Sequence, residues 1–146
     1  VSTLVTPRPP ILALDPGREK CGIAIVSRHL SQLQVLVRRV VPSSEVERML
    51  PELMKQWQVK RIVLGDATSS RDWRERLQKL VPDFDLVLVE EAGSTLEARA
   101  LYWKENRPRG WRRALPLSLQ TPPEPIDDFA AVVLAERYFD SEVAEA

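Results

Sequence analysis

The chain has one cysteine, one histidine, no net charge and no long apolar run, and each scarcity removes a class of function. Cys21 alone excludes an internal disulfide and any cysteine-rich zinc site. Beside Gly22 in a predicted strand, it reads as a small core residue. His29 falls in a turn-like stretch and is assigned no catalytic role. Twenty-one basic residues against twenty-one acidic ones leave no overall field to draw the chain onto nucleic acid or membrane. Any polyanion site must therefore come from local segregation of charge. No stretch is long and apolar enough to span a bilayer and no signal peptide is visible, so the expected compartment is the cytoplasm.

What is present suits one domain, residues 1–146, with a sizeable core: 44% of the chain is hydrophobic and 29% charged. Ile11 to Leu14 is an apolar run of strand length, left through Pro16-Gly17, and Gly22 to Val26 reads as the return strand of a hairpin. Leu33 to Val40 alternates in part and predicts a third strand. Ser44-x-x-Glu47 has the form of a capping box, followed by Val46, Leu50, Leu53, Met54 and Trp57 at helical spacing. Arg61 to Gly65 predicts a fourth strand. Ser69-x-x-Asp72 opens a helix with Trp73, Leu77 and Leu80 inward, limited by Pro82. Leu86 to Glu90 is a continuous apolar strand of the kind covered on both faces. Ser94-x-x-Glu97 starts a third helix, reaching about Trp103. Residues 104–125 predict a basic, proline-rich loop, Ile126 to about Phe139 a final helix, and 141–146 a frayed tail. The order β-β-β-α-β-α-β-α-α implies a mixed five-stranded α/β sheet. It begins as an antiparallel meander, continues in parallel crossovers and carries helices on both faces.

Acids recur at the ends of the predicted strands: Asp15 after the first, Asp66 after the fourth, Glu90-Glu91 after the fifth. Asp127-Asp128 opens the last helix. Carboxyl ends of parallel strands are where such sheets bind ligands. Carboxylates converging from separate elements repel unless a cation sits among them, and hard oxygen donors suit Mg²⁺ or Mn²⁺. Each acid also has a plain local role open to it, as a turn residue, a solvated strand end or a helix cap.

Three segments carry a resemblance. Leu12-Ala13-Leu14-Asp15-Pro16-Gly17 through Cys21-Gly22-Ile23-Ala24 resembles the opening D-x-G…G-(I/V)-A segment of the YqgF-type Holliday-junction resolvases. These RNase H-like proteins are also described as nucleases maturing the 5′ end of 16S ribosomal RNA. Glu90-Glu91-Ala92-Gly93-Ser94-Thr95 resembles the family's D-E-R-x-(S/T)-T segment, and Ile126-Asp127-Asp128-Phe129-Ala130-Ala131 its closing (V/I)-D-x-x-A-A. The order is the family's, and the likeness spans nearly the whole chain. It implies an RNase H-like fold and a metal-dependent nuclease in which Asp15, Glu91 and Asp127 hold Mg²⁺ or Mn²⁺ and carry the catalysis, with Asp128 the alternative to Asp127. The chain departs from the pattern where Glu90 replaces aspartate, Ala92 replaces arginine and Gly93 a larger residue. The lost arginine would be a natural phosphate partner. Thr68 and Ser69, after the fourth strand, have the chemistry to meet a phosphate at a helix start or to cap that helix.

Between Arg99 and Arg113 stand six cations against the single acid Glu105. Arg107, Arg109, Arg112 and Arg113 suit phosphate contacts, and Trp111 suits stacking on unpaired bases. Trp103, on the predicted third helix, is expected in the core. Two readings follow. The first is a nuclease on structured nucleic acid, a ribosomal RNA precursor or branched DNA, with a homodimer as a candidate assembly. The second is a nucleic-acid- or protein-binding module on the same fold without hydrolysis.

Overall fold

A strand that is apolar on both sides must be covered on both sides, and Ile11–Asp15 (β1) takes the centre of the sheet. In the computed structural model, which describes residues 9–67, 69–117 and 120–145, Ile11, Leu12, Ala13 and Leu14 are all buried. Lys20–His29 (β2) returns antiparallel beside β1, and Gln32–Pro42 (β3) continues the meander. On the other side Arg61–Gly65 (β4) and Asp85–Val89 (β5) lie parallel to β1. The resulting order is β3-β2-β1-β4-β5, the mixed sheet that the element pattern predicts.

The period-2 alternation of the strands sorts the core into two layers. Leu12, Leu14, Ile23, Ile25, Ile62 and Leu64 face Val46–Trp57 (α1) and Ser70–Leu80 (α2). Ala13, Ala24, Val26 and Val63 face Asp127–Glu145 (α4), meeting Ala131, Leu134 and Ala135. Small residues on both sides of that second interface let α4 settle close to the sheet. Ser94–Glu105 (α3) lies outside α4, held by Ala98, Tyr102 and Trp103 against Phe129, Ala130 and Val133. Tyr102 packs edge-to-face on both Trp103 and Phe129.

Four local expectations differ from what forms. No capping box closes at Ser44: a 3₁₀ turn at Ser43–Glu45 precedes α1, and Glu45 occupies its N-cap position with no side-chain cap. Ser43 instead turns its hydroxyl to the Gly17 carbonyl, 2.8 Å away. The apolar strand β5 is at the sheet edge, and Leu88 is 41% exposed. An apolar run marks a strand that buries much of its surface, but Leu88 stands opposite Leu64 on the α1–α2 face, at the open edge of the sheet. The last helix does not stop near Phe139 but runs on over residues 141–145, where the sequence predicts a tail. It stays helical through Glu145, where Tyr138 donates to Glu142 at 2.6 Å and Ser141 to the Tyr138 carbonyl at 2.7 Å. Ala146 and Thr68 lie outside the described residues. Ser69 occupies the N-cap position of α2 but makes no side-chain cap bond.

Candidate active site at the carboxyl ends of the strands

Parallel strands end on one side of a sheet, so β1, β4 and β5 deliver Asp15, Gly65-Asp66 and Glu90-Glu91 to the same edge. Asp15 is the last residue of β1 and pairs with Gly22 of β2. The turn beyond it is pinned: Gly17 accepts from Ser43, and the Ser43 N–H reaches the Glu19 carbonyl at 2.8 Å.

Glu91 reaches Asp15 through two devices. Asp66 accepts the Glu91 backbone N–H at 2.9 Å, while its own N–H donates to the Val89 carbonyl at 3.0 Å. The acid after β4 thus holds the turn that presents Glu91. Gly65 supplies the clearance, since a Cβ there would lie 2.3 Å from Glu91 Oε1. Gly93, at φ +76°, completes the turn, and Ser94 N–H closes it on the Glu91 carbonyl at 2.9 Å. That left-handed φ explains why a small residue replaces a larger one here.

Asp127 arrives from the opposite direction, as the first residue of α4. A Cβ on Gly22 would lie 1.7 Å from the Asp127 carbonyl oxygen, so the helix start rests directly on the β2 backbone beside Asp15. Asp128 points elsewhere. Its Oδ2 is 3.0 Å from Arg38 Nε on β3.

The electrostatics follow from this crowding. Burial first, then the hydrogen bond and charge of Glu91, then the charge of Asp127, push the Asp15 carboxyl up to about 9. At neutral pH Asp15 therefore keeps its proton and shares it with Glu91. Apart from that Asp15 proton, no donor among the described residues faces the buried Glu91 Oε1. All-oxygen donors, a carboxyl forced to hold a proton and an orphaned carboxylate oxygen fit a hard divalent cation, which would take the proton's place. The ligand set is not closed as it stands: among the described residues no group of three or more His, Cys, Asp or Glu side chains is arranged to hold a metal ion.

Between α3 and α4 the chain leaves the sheet edge as an irregular loop that includes a 3₁₀ turn, Gly110–Ala114. Gly110 enters that turn at φ +66°, and Gln120 pins it by donating to the Arg112 and Leu115 carbonyls at 2.8 and 3.2 Å. Arg107, Arg109, Trp111, Arg112 and Arg113 are all exposed. No ion pair to a described residue holds the four arginines. Trp111 is 72% exposed, whereas Trp103 is 6% exposed and belongs to the core. An open groove of about 920 Å³ runs along the loop between Trp103, Arg107, Arg109, Trp111 and Pro123.

The structure thus brings Asp15 and Glu91 into contact with Asp127 beside them, and sets Asp66, Glu90 and Asp128 apart. Sequence reasoning missed the seating role of Gly22 and Gly65. It also missed Arg38 and Arg137, which reach the site region from β3 and α4. The glycines were readable as breaks in apolar strands next to acids. The arginines carried no local signal.

Sheets of this order, antiparallel on one side of the first strand and parallel on the other, with the last helix lying across the meander, define the RNase H-like fold. Solved structures share it. The fowlpox virus resolvase in complex with Holliday junction DNA superposes with a TM-score of 0.62 at 11% identity, over 90% of this chain and 97% of that one. Thermus thermophilus RuvC superposes at 0.58 and 10% identity, over 91% and 96%. Within that class the sequence is more specific. Residues 10–141 match the family model described as RuvX, Holliday junction resolvase, and the chain belongs to that family. A Bordetella petrii protein described as a "putative pre-16S rRNA nuclease" is 27% identical over 148 residues, covering 92% of this chain and 98% of the relative.

Proposed function

We propose that the protein is a divalent-metal-dependent endonuclease that hydrolyses phosphodiester bonds in structured nucleic acid, either a four-way DNA junction or the 5′ end of a 16S rRNA precursor. The observation that carries this is the pairing of Asp15 with Glu91, beside Asp127, at the strand ends of a resolvase-family fold. Asp15, Glu91 and Asp127 would hold the ion. When bound, Mg²⁺ or Mn²⁺ supplies the Lewis acidity that phosphodiester hydrolysis needs. The chain's own residues do the rest. Asp66 fixes the Glu91 turn, Gly22 and Gly65 let the carboxylates converge, and burial keeps bulk water from screening them. Arg107, Arg109, Arg112 and Arg113 take the phosphate backbone, and Trp111 stacks on unpaired bases.

A junction presents two symmetry-related scissile strands, so a homodimer is the assembly this reading favours. Its workplace is the cytoplasm, where both substrates would be met. Among the described residues no helix is long and apolar enough to cross a membrane.

A second reading, a binding module without hydrolysis, is favoured by one observation: Ala92 offers no side chain with which to grip a phosphate beside Glu91. Labelled four-way junctions and precursor rRNA, incubated with Mg²⁺ or Mn²⁺ beside an Asp15→Asn control, separate the two. Metal-dependent cutting that disappears in the variant supports the nuclease and identifies its substrate. Binding without cutting under either metal replaces it with the binding module.

A further inference from the structure

The basic loop leaves α3 just after Glu105 and re-enters α4 at Asp127, so its two feet are Glu105 and the first turn of α4. One side chain from a third element touches both. Arg38, on β3, places Nη1 2.8 Å from Glu105 Oε2 and Nε 3.0 Å from Asp128 Oδ2. Its guanidinium lies 3.9 Å above the Phe129 ring. The flat, delocalised cation can accept a carboxylate at each of two edges while stacking by its face, which an ammonium cannot do. The Arg38 side chain is only about one-third exposed and that of Asp128 less, at 32% and 14%. The Asp128 arm is therefore less screened than an ordinary surface pair, while the Glu105 arm, with Glu105 half exposed, is more open to solvent.

We propose that Arg38 is a positioning residue for nucleic-acid engagement: it clamps the two feet of the 106–126 loop to β3 and so fixes where Arg107, Arg109, Trp111, Arg112 and Arg113 stand relative to the carboxylates. The role in engagement rests on the function proposed above, but the clamp itself does not. The loop has few other anchors. Gln120 bonds within the loop, to the Arg112 and Leu115 carbonyls, and the loop arginines have no ion-pair partner among the described residues. Arg38 also offsets part of the negative charge of Glu105, the one acid between Arg99 and Arg113, and of Asp128 at the loop's exit. An approaching phosphate backbone then meets positive charge along the Arg107–Arg113 stretch.

The clamp is separable from charge masking. Glu105→Ala removes an acid from the basic segment, so a purely electrostatic role predicts tighter junction binding. Loss of a clamp predicts the opposite. Two variants, Arg38→Met and Glu105→Ala, with Arg38→Lys as the conservative comparison, are read in two ways. The first is the trypsin cleavage rate after Arg109, Arg112 and Arg113 in the folded protein, followed by mass spectrometry. The second is affinity for a labelled four-way DNA junction with the KM and kcat of its cleavage.

The expected result is loop cleavage about five- to tenfold faster in Arg38→Met, with sheet fragments still protected. KM should rise by a similar factor and kcat stay within about twofold. Glu105→Ala should move the same way by about half as much on a logarithmic scale, and Arg38→Lys should recover only part of the loss. Unchanged loop cleavage in both variants, or tighter binding by Glu105→Ala, overturns the clamp. If Arg38→Met does not fold, Glu105→Ala alone decides the matter. If the wild-type protein binds neither a junction nor precursor rRNA, the function reading fails while the proteolysis arm still tests the clamp.

Discussion

The two halves of the candidate site are built on opposite principles. The carboxylates stand on regular elements: Asp15 ends the central strand, Asp127 begins a 19-residue helix, and Glu91 sits in a turn bonded at its N–H and its carbonyl. The cations stand on an exposed, largely irregular loop around a five-residue 3₁₀ turn. Chemistry tolerates errors of a few tenths of an ångström, which only packed backbone can guarantee. Backbone recognition of a polyanion is long-range and forgiving, and a loop serves it well. The two tryptophans make the same contrast in one residue type. Trp103 is packed under Tyr102 in the core, while Trp111 stands in solvent eight positions later.

The sharpest way to break this contrast is at Asp15. Asp15→Asn should lower metal-dependent cleavage by at least about 10³-fold while junction affinity, measured by gel shift, stays within a few-fold. Equal loss of both would mean that the carboxylates also serve binding. Gly65→Ala comes next. Its Cβ would displace Glu91 Oε1, and a misplacement of that size costs about 10²-fold in kcat with the fold retained by circular dichroism.

The tryptophans should then separate cleanly. Trp103→Ala should cost about 3–5 kcal/mol of stability in a denaturant titration, whereas Trp111→Ala should leave stability alone and weaken single-strand binding by about 1–3 kcal/mol.

The pH dependence of stability tests the buried end alone. Asp15 holds its proton up to about 9 in the folded chain against 3.8 as a free side chain. The folded state therefore keeps a proton that the unfolded state has released. The stability this contributes is fully present below pH 3.8 and is lost as pH climbs through about 9. Thermal unfolding in a chelator should show Tm falling across that window, and Asp15→Asn should flatten the fall. Smallest is the effect of a single loop cation. Arg109→Ala should weaken binding a few-fold and reduce the salt dependence of log affinity by about one unit, with kcat unchanged.

Much of the fold was legible because strand and helix periodicities are local. Ile11–Leu14 announced a short buried strand, and Trp73 and Leu77 announced the inward stripe of α2. Asp15, Asp66 and Glu90-Glu91 stood out because acids at the ends of apolar strands conflict with their surroundings, whereas the choice of Glu91 and Asp127 rested on the family resemblance. What escaped depends on neighbours distant in the chain. Leu88 reads as core until β5 is known to be the edge strand. Ser44 reads as a cap until a 3₁₀ turn takes its place and Ser43 bonds Gly17. Asp66 gave no sign that it would hold the Glu91 backbone 25 residues away, and Arg38 looks like any cation on a polar edge strand. Arg137 is similar: it donates to the Glu90 carbonyl at 2.6 Å and pairs with Glu97 at 2.9 Å, tying α4 to the Glu91 turn.

The contact between Gly22 and the Asp127 carbonyl has a mechanical meaning. A long helix lying across a sheet of small residues could come to rest at several axial positions, and a shift of one residue would swing its first side chain through about 100°. The bare backbone at Gly22 is a notch that the helix end drops into, and every other register leaves that end propped up. Asp127 is thus aimed by where a whole helix comes to rest, with the weight of a buried interface behind it, rather than by the turn of its own side chain.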